Sequence, residues 1–205
     1  MDILPLFSSN LLILNVDERV DQLSNGIDNI EFKSSGQSPG NLMSVDIRVL
    51  EKHSRIKNIL LKKFNHYMKN VMKIENEFII TTSWYTKILP GAISGTHNHK
   101  NSYYSGILYF HEYDEETSSL QLMSPVIDLQ DFFLQPKNTE DFHLQNSHSW
   151  EILPKKNLLV FFPSYLRHKV SNNFSNKTRY SLAFNIVPLQ TYGSGDSTIN
   201  TNWYK

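Results

Sequence analysis

The sequence predicts a mainly β domain, a sandwich or jelly roll, with helices placed before it near the N-terminus. Short runs rich in Ile, Val, Thr and aromatic residues recur from residue 77 onward, and Gly, Pro, Asn and Ser separate them. Many short strands divided by turn residues are typical of sandwiches and jelly rolls rather than of βαβ folds. The clearest helix is predicted over residues 53–73, where apolar residues recur every three to four positions.

Length and composition limit the classes of function. The 205 residues are enough for one sizeable domain, and 40% of them are hydrophobic. Twenty basic and twenty acidic side chains cancel, so no charge footprint indicates nucleic acid or an anionic membrane. The absence of cysteine excludes disulfides, thiolate metal ligands and cysteine nucleophiles. Neither a signal-peptide pattern nor an apolar run of the roughly 20 residues that cross a bilayer is present, so we expect an intracellular protein.

One domain is predicted over 1–205, in three parts. An N-terminal strand with supporting helices occupies 1–76, a β core occupies 77–188, and a polar tail occupies 189–205. The tail is either a frayed end or an arm that packs on a neighbouring copy, which leaves a homodimer open. The strands predicted in the core are 78–89, 105–113, 120–123, 149–153, 158–162 and 178–187.

Outside the core strands, the pattern predicts four further features. Residues 3–16 are expected to form an opening strand that is buried on both faces near its end. Asp17 is expected to cap a short helix that ends near Gly26. The Ser-, Gly- and Pro-rich residues 33–41 predict a loop. The polar residues 128–147 predict a long loop over one mouth of the barrel, where functional residues concentrate.

A pair of histidines carries the functional hypothesis. If His97 lies on a strand, His99 faces the same side, so both imidazoles can reach one point. Imidazole is the commonest protein ligand for a transition metal, but a site needs a third ligand. The best candidate is His168, on a predicted turn after a strand. Arg179 follows eleven residues later, and Ser181 shares its face of the last core strand.

This order of motifs resembles the Fe(II)- and 2-oxoglutarate-dependent oxygenases, and within them a family of 2OG-Fe(II) oxygenases found in bacteria and marine phages. Similar motifs are Ser-Gly-x-x-Tyr from Ser105 to Tyr109, Phe-Pro-Ser-x-x-x-His ending at His168, and Arg-x-Ser-x-x-Phe-Asn from Arg179 to Asn185. The resemblance covers roughly half of the chain. Each motif alone is weak, whereas their combination is specific.

The resemblance implies a double-stranded β-helix, which is a jelly roll, and a dioxygenase that uses Fe(II), 2-oxoglutarate and O₂. His97, His99 and His168 would ligate the metal, while Arg179 and Ser181 would grip the far carboxylate of 2-oxoglutarate through the planar fork of the guanidinium. The expected reaction is hydroxylation of an unknown substrate with decarboxylation of 2-oxoglutarate to succinate. The expected location is the cytoplasm of a bacterium or of a phage-infected host.

Three other residues are expected to support the site. Tyr109, on the strand after the histidine pair, is placed to donate its hydroxyl to the co-substrate carboxylate. Ser102, just past the pair, is expected to line the mouth. Asn185 is even-spaced from Arg179 and Ser181, so its amide is expected to orient a ligand histidine or the co-substrate.

The sequence departs from the superfamily at one ligand position. The superfamily uses two histidines and one carboxylate, whereas position 99 is His. His99 either ligates the metal, which we favour, or points away and leaves an open position, as in the carboxylate-free halogenases of the superfamily. In a third interpretation, Glu112 or Asp114 folds in to supply the carboxylate.

Two other functions stay open from the sequence. One is a three-histidine, cupin-like metalloprotein that does not use 2-oxoglutarate, for which three-histidine zinc sites are a chemical precedent. The other is a non-enzymatic jelly-roll binding protein whose histidines are incidental.

Overall fold

A computed structural model describes residues 2, 8–16, 20–36, 38–126, 141–144 and 146–201. These residues form two antiparallel β-sheets, a separate two-stranded ribbon and one long helix. The helix is α1 (Ser54–Asn70). The strands in these ranges are β1 (Leu12–Asn15), β2 (Phe32–Ser34), β3 (Asn41–Ser44), β4 (Phe78–Ile88), β5 (Tyr104–Leu108), β6 (Leu120–Met123), β7 (Ser149–Ile152), β8 (Leu158–Pro163), β9 (His168–Val170), β10 (Arg179–Pro188), β11 (Thr191–Tyr192) and β12 (Ile199–Asn200). Short 3-10 turns occupy Asp21–Ser24, Ile27–Asn29, Val49–Lys52 and Gly195–Ser197.

The larger sheet has seven strands in the order β1-β8-β5-β10-β4-β3-β2, and the smaller has three in the order β7-β6-β9. A separate two-stranded ribbon joins β11 to β12. All strand pairs that the structure describes are antiparallel, and their order departs from the order along the chain. This arrangement confirms the predicted mainly β jelly roll.

An aromatic core joins α1 to one face of the larger sheet. Phe64 is fully buried, and its ring centroid lies 5.1 Å from those of Phe78 and Tyr104 and 5.3 Å from that of Phe161. Because side chains alternate along a strand, the opposite face of the same sheet is free to meet the smaller sheet. A second cluster fills that space, formed by Ile107, Tyr109, Leu120, Leu122, Ile152, Val160, Phe162 and Leu166.

Most of the predicted elements are confirmed. The helix predicted over 53–73 is α1, and its apolar positions Ile56, Leu60 and Phe64 are buried as the 3.6-residue period requires. The six predicted core strands correspond to β4, β5, β6, β7, β8 and β10, with ends that differ by a few residues. The largest difference is at β5, which ends at Leu108 instead of continuing to residue 113.

Three predictions about the N-terminal part are confirmed only in part. The loop predicted over 33–41 is shorter and covers 35–40, because β2 and β3 enter the segment from both ends and pair as a hairpin. The opening strand is not buried on both faces, since β1 is a sheet edge and Ile13 is 46% exposed. The short helix predicted to end near Gly26 is a 3-10 helix over Asp21–Ser24, and the side chains of Val20 and Leu23 are both buried.

The structure corrects predictions about His168 and the tail, and it does not test those that fall outside the described residues. His168 begins β9 and does not lie on a turn. The tail contains the β11–β12 ribbon, so the first of its two alternatives, a frayed end, is not what the structure shows as far as residue 201. Residues 3–7, the cap Asp17, residues 128–140 and 145 of the predicted mouth loop and residues 202–205 lie outside the described residues. Among the helices that are described, none is long and apolar enough to cross a membrane.

The aromatic core predicts a large loss of stability when Phe64 is truncated. We expect Phe64→Ala to lower the free energy of unfolding by about 3–5 kcal/mol, because it leaves a cavity among three aromatic rings. Phe174→Ala is the matched control, since this ring is 74% exposed, and its effect should stay within about 0.5 kcal/mol. Urea unfolding measures both variants, and equal losses would contradict the assignment of Phe64 to the core.

Candidate metal centre

Three histidines meet at one end of the sandwich because main-chain hydrogen bonds join the segments that carry them. The N–H of His97 donates to the carbonyl of His168 at 2.9 Å, and the N–H of His168 donates back at 2.8 Å. The N–H of His99 donates to the carbonyl of Ser164 at 3.0 Å. One potential ligand atom from each imidazole lies within 4.8 Å of the other two. The structure therefore brings the histidine pair and the distal histidine together.

Two of the imidazoles are oriented by carbonyl groups. Nδ1 of His97 lies 2.8 Å from the carbonyl oxygen of Gly95, and Nδ1 of His168 lies 2.9 Å from that of Leu166. A carbonyl only accepts, so each Nδ1 carries the proton and donates it. The other ring nitrogen, Nε2, keeps its lone pair, as in metal sites where a second hydrogen bond fixes the histidine tautomer.

Burial keeps two of the histidines neutral. Desolvation, helped by the neighbouring His97, lowers the pKa of His99 to about 4. Desolvation also lowers the pKa of His168 to about 3, although the hydrogen bond to Leu166 acts in the opposite direction. Neutral imidazole is the form that binds a metal ion, so these side chains need not lose a proton before they ligate at neutral pH.

A cavity of about 310 Å³ runs from the histidines into the sandwich. Its polar end contains Arg179 and Ser181, and its remaining wall is mostly apolar. The β2–β3 hairpin and β4 supply one side through Met43 and Trp84. The described lining residues are Ser35, Asn41, Leu42, Met43, Trp84, Thr86, Ile88, Ser94, His97, His99, Ser105, Gly106, Ile107, Leu120, Phe162, His168, Val170, Arg179, Ser181, Ala183 and Phe184.

Arg179 is a buried cation held entirely by neutral groups. It is only 1% exposed. Its Nε donates to the carbonyl of Ser118 at 3.0 Å, its Nη1 to Oγ of Ser181 at 3.1 Å, and its Nη2 to the hydroxyl of Tyr109 at 3.2 Å. No carboxylate among the described residues pairs with it, and an unpaired buried charge is costly. The guanidinium is therefore prepared for an anion that enters the cavity.

Ser181 and Tyr109 both hold the guanidinium, but only Ser181 lines the cavity. The hydroxyl of Ser181 lies 2.6 Å from that of Thr86 on the neighbouring strand. Tyr109 is fully buried, and the centre of the Arg179 guanidinium lies 5.1 Å from its ring centroid. Burial raises the pKa of Tyr109, so its hydroxyl stays protonated. Tyr109 thus stands behind Arg179, where the sequence suggested direct contact with the co-substrate.

Asn185 and Ser102 also lie behind the cavity wall. The amide of Asn185 accepts from Oγ of Ser105 at 3.0 Å, and Ser105 is 2.8 Å from the hydroxyl of Ser164, whose carbonyl holds His99. Asn185 therefore supports a ligand histidine indirectly. Oγ of Ser102 faces the carbonyls of Tyr104 and Ile186 at 2.9 and 3.1 Å, so it stabilises the main chain and does not line the mouth as expected.

No described carboxylate joins the three histidines. Glu112, one of the proposed substitutes, pairs with Lys156 at 2.6 Å. Asp114, the other, accepts from Thr117 at 2.8 Å and Ser175 at 2.7 Å. The structure places both away from the cluster, whereas a nitrogen of His99 lies within it.

Sequence reasoning missed the residues that form the cavity wall and the supports of Arg179. Trp84 lies with its ring centroid 5.8 Å from that of His99, and Met43 lies on β3, a strand that the sequence pattern did not predict. Ser118 contributes only a carbonyl, which no side-chain pattern can indicate. The sequence does carry one signal for this wall: Trp84 and Thr86 are two positions apart on β4, so their side chains lie on the same face of the sheet.

The residues present fit an iron ion and 2-oxoglutarate. Three neutral imidazole nitrogens suit a divalent first-row metal. The buried Arg179, with no acidic partner among the described residues, suits a carboxylate at the other end of the same cavity.

Comparisons with known proteins agree with this chemistry. A family model described as "Putative 2OG-Fe(II) oxygenase" matches residues 82–185, which contain all three histidines and Arg179. No curated protein matches the sequence.

Solved structures match the fold at low sequence identity. HygX from Streptomyces hygroscopicus, with nickel, 2-oxoglutarate and hygromycin B bound, has a TM-score of 0.60 and 10% identity over 88% of this chain and 83% of that one. A prolyl-4-hydroxylase from Pseudomonas putida has a TM-score of 0.60 and 14% identity over 88% and 94%. The epimerase SnoN from nogalamycin biosynthesis has a TM-score of 0.64 and 6% identity over 91% and 79%.

The lowered histidine pKa values predict how metal-free protein responds to acid. Below the ordinary value of 6.5, the unfolded chain binds protons at positions 99 and 168 that the folded chain refuses until about pH 4 and about pH 3. Acid therefore favours unfolding, and stability falls as the pH drops. We expect the urea midpoint to fall between about pH 7 and about pH 5, above the range where carboxylates titrate.

The double variant His99→Gln, His168→Gln should show a clearly smaller fall over the same pH interval. His148→Gln is the control, because this side chain is exposed and its loss should leave the fall unchanged. An undiminished fall in the double variant would contradict the assignment of the effect to the metal-centre histidines.

Proposed function

The chain belongs to the 2OG-Fe(II) oxygenase family, and from this premise we propose that it is a dioxygenase that hydroxylates its substrate at the three-histidine site. It is an Fe(II)- and 2-oxoglutarate-dependent oxygenase, and its co-substrate with 2-oxoglutarate is O₂. When bound, iron and 2-oxoglutarate supply the oxidation, in which 2-oxoglutarate becomes succinate and CO₂ and one oxygen atom enters a C–H bond.

His97, His99 and His168 hold the iron in this proposal. Their support comes from the mutual distances of their nitrogens, from the Nδ1 hydrogen bonds of His97 and His168 and from the lowered pKa values of His99 and His168. The protein's contribution is to present unprotonated nitrogens in one place, so that no proton has to be displaced by the metal.

Arg179 and Ser181 bind the far carboxylate of 2-oxoglutarate. The single observation that carries the proposal is that a buried guanidinium without an acidic partner among the described residues faces the same cavity as three convergent histidines. A carboxylate there would satisfy the charge of Arg179 and would be held by charge-assisted hydrogen bonds. Ile107, Leu120 and Val170 line the same cavity and contribute to its apolar wall.

Hydroxylation is proposed by likeness to one of the structural matches. The prolyl-4-hydroxylase is covered over 94% of its length, so the same fold carries a hydroxylase without additional domains. SnoN is an epimerase on a related fold, so the fold alone does not select the reaction. Detection of a product heavier by one oxygen atom, together with an equal amount of succinate, tests the hydroxylase assignment.

A three-histidine site that works without 2-oxoglutarate is the second candidate, because the cluster contains no described carboxylate. The two candidates differ at Arg179. In the oxygenase, loss of Arg179 strongly weakens co-substrate binding; in the alternative, it leaves metal-dependent turnover unchanged.

The first test is anaerobic addition of Fe(II) and then 2-oxoglutarate to metal-free protein. We expect a weak visible charge-transfer band that needs both additions. The band should be absent in His168→Ala, which lacks a metal ligand, and retained in His148→Ala, which loses an exposed histidine. A band that survives in His168→Ala would contradict the proposed ligand set.

Arg179→Met is expected to weaken 2-oxoglutarate binding while metal binding persists. Removing one partner of a buried charged pair costs about 2–5 kcal/mol, so the Kd should rise at least about 30-fold. Isothermal titration of nickel-loaded protein measures this Kd. Arg167→Ala is the control, because Arg167 adjoins His168 but is exposed, and an equal loss in the control would contradict the role of Arg179.

A further inference from the structure

Asn173 lies between the distal histidine and Arg179 in the chain and is completely buried. We infer that Asn173 is a positioning residue that fixes Arg179 for 2-oxoglutarate, an inference that rests on the function proposed above. It does not line the cavity. Its effect must therefore pass through the main-chain groups that its side chain binds.

All of the hydrogen bonds of the Asn173 amide go to main-chain groups. Nδ2 donates to the carbonyl of Lys177 at 2.8 Å and to that of Ile88 at 3.2 Å. Oδ1 accepts from the N–H of Ser118 at 3.4 Å. Two carbonyls need donors and one N–H needs an acceptor, so the partners themselves define which end of the amide is nitrogen.

Each of these three main-chain groups borders Arg179. Ile88 is the residue opposite Arg179 in the β4–β10 register. Lys177 precedes Arg179 by two positions. Ser118 uses its own carbonyl to accept from Nε of Arg179 at 3.0 Å. One amide thus ties together the strand across from Arg179, the chain leading into it and the segment that holds its Nε.

The main chain of Asn173 has a different task. Its N–H donates to the carbonyl of Ala92 at 3.0 Å, and its carbonyl accepts from the N–H of Gly91 at 2.7 Å. These bonds anchor the segment that leads to His97. Because they involve only the main chain, they persist when the side chain is replaced. A side-chain substitution therefore separates the support of Arg179 from the support of the metal ligands.

The chemistry at this position demands an amide. An aliphatic side chain would remove the two donors to these carbonyls and the acceptor for the N–H of Ser118 from a fully buried place, where a lost hydrogen bond is costly. Aspartate has the same size and keeps the acceptor for Ser118, but its ionised form cannot donate to Ile88 or Lys177. Comparing alanine with aspartate thus distinguishes loss of volume from loss of the two donated hydrogen bonds.

The test measures two affinities, that of metal-free protein for Ni(II) and that of nickel-loaded protein for 2-oxoglutarate. For Asn173→Ala and Asn173→Asp, we expect the Kd of 2-oxoglutarate to rise about 10-fold or more, as when hydrogen bonds behind a binding group are removed. The Kd of Ni(II) should stay at the wild-type value. Asn172→Ala is the matched control, since Oδ1 of this neighbouring asparagine has no described hydrogen-bond partner, and both affinities should be unchanged.

A purely structural role gives a different result. If Ni(II) and 2-oxoglutarate affinities fall together with the melting temperature, or if Asn173→Asp binds 2-oxoglutarate like wild type, the inference is overturned. If Asn173→Ala does not fold, Asn173→Asp carries the test, because it preserves the volume. The melting-temperature increase caused by 2-oxoglutarate provides a second measurement, and it should shrink in both variants while the increase caused by Ni(II) is kept.

Failure of the inference is distinct from failure of the proposed function. Wild-type protein that binds 2-oxoglutarate, with binding lost in Arg179→Met but unchanged in both Asn173 variants, overturns only the role of Asn173. Wild-type protein that binds Ni(II) but not 2-oxoglutarate overturns the function on which the inference rests.

Discussion

A single constraint organises the functional end of this molecule: the buried guanidinium of Arg179 has no acidic partner among the described residues. The surrounding structure holds it with a carbonyl, a hydroxyl and a phenol, which orient the cation but leave its charge uncompensated. Such an arrangement is unfavourable in the empty cavity and favourable when an anion enters. Binding a carboxylate thus offsets the free-energy cost of burying the uncompensated charge of Arg179 during folding.

The three-histidine set strengthens the same bias. With neutral imidazoles, a divalent metal keeps both of its charges, and Arg179 adds a third at the other end of the cavity. A dianion that contacts both the metal and Arg179 compensates two of these three positive charges. A centre with one carboxylate ligand would begin with less positive charge, so metal and dianion would depend less on each other. In the proposed site, with His99 in place of that carboxylate, binding of the metal and binding of the dianion would therefore be more strongly coupled.

Residue spacing predicted the groups that face the cavity and failed for those that act through the main chain. Arg179 and Ser181 are recognisable because their side chains carry the chemistry and share one face of β10. His97 and His99 have the same spacing, but they lie outside the strands and His97 forms only an isolated bridge with His168. The short β2–β3 hairpin was missed because its Lys, Ser and Asn residues resemble a loop, and pairing with β4 overrides that local preference. The carbonyl of Ser118 has no counterpart in side-chain chemistry, so only the folded chain reveals it.

The connection from β9 to β10 links the distal histidine to Arg179 within one short stretch of chain. β9 belongs to the smaller sheet and β10 to the larger, so the segment between them closes the sandwich beside the site. His168 opens this connection, Arg179 ends it, and the buried Asn173 anchors it to both the His97 segment and the surroundings of Arg179. His168 and Arg179 consequently lie at the two ends of one main-chain connection that Asn173 anchors. Trp84 and Met43 line the cavity from β4 and β3, outside this connection, so substitutions at these two positions leave the connection itself intact.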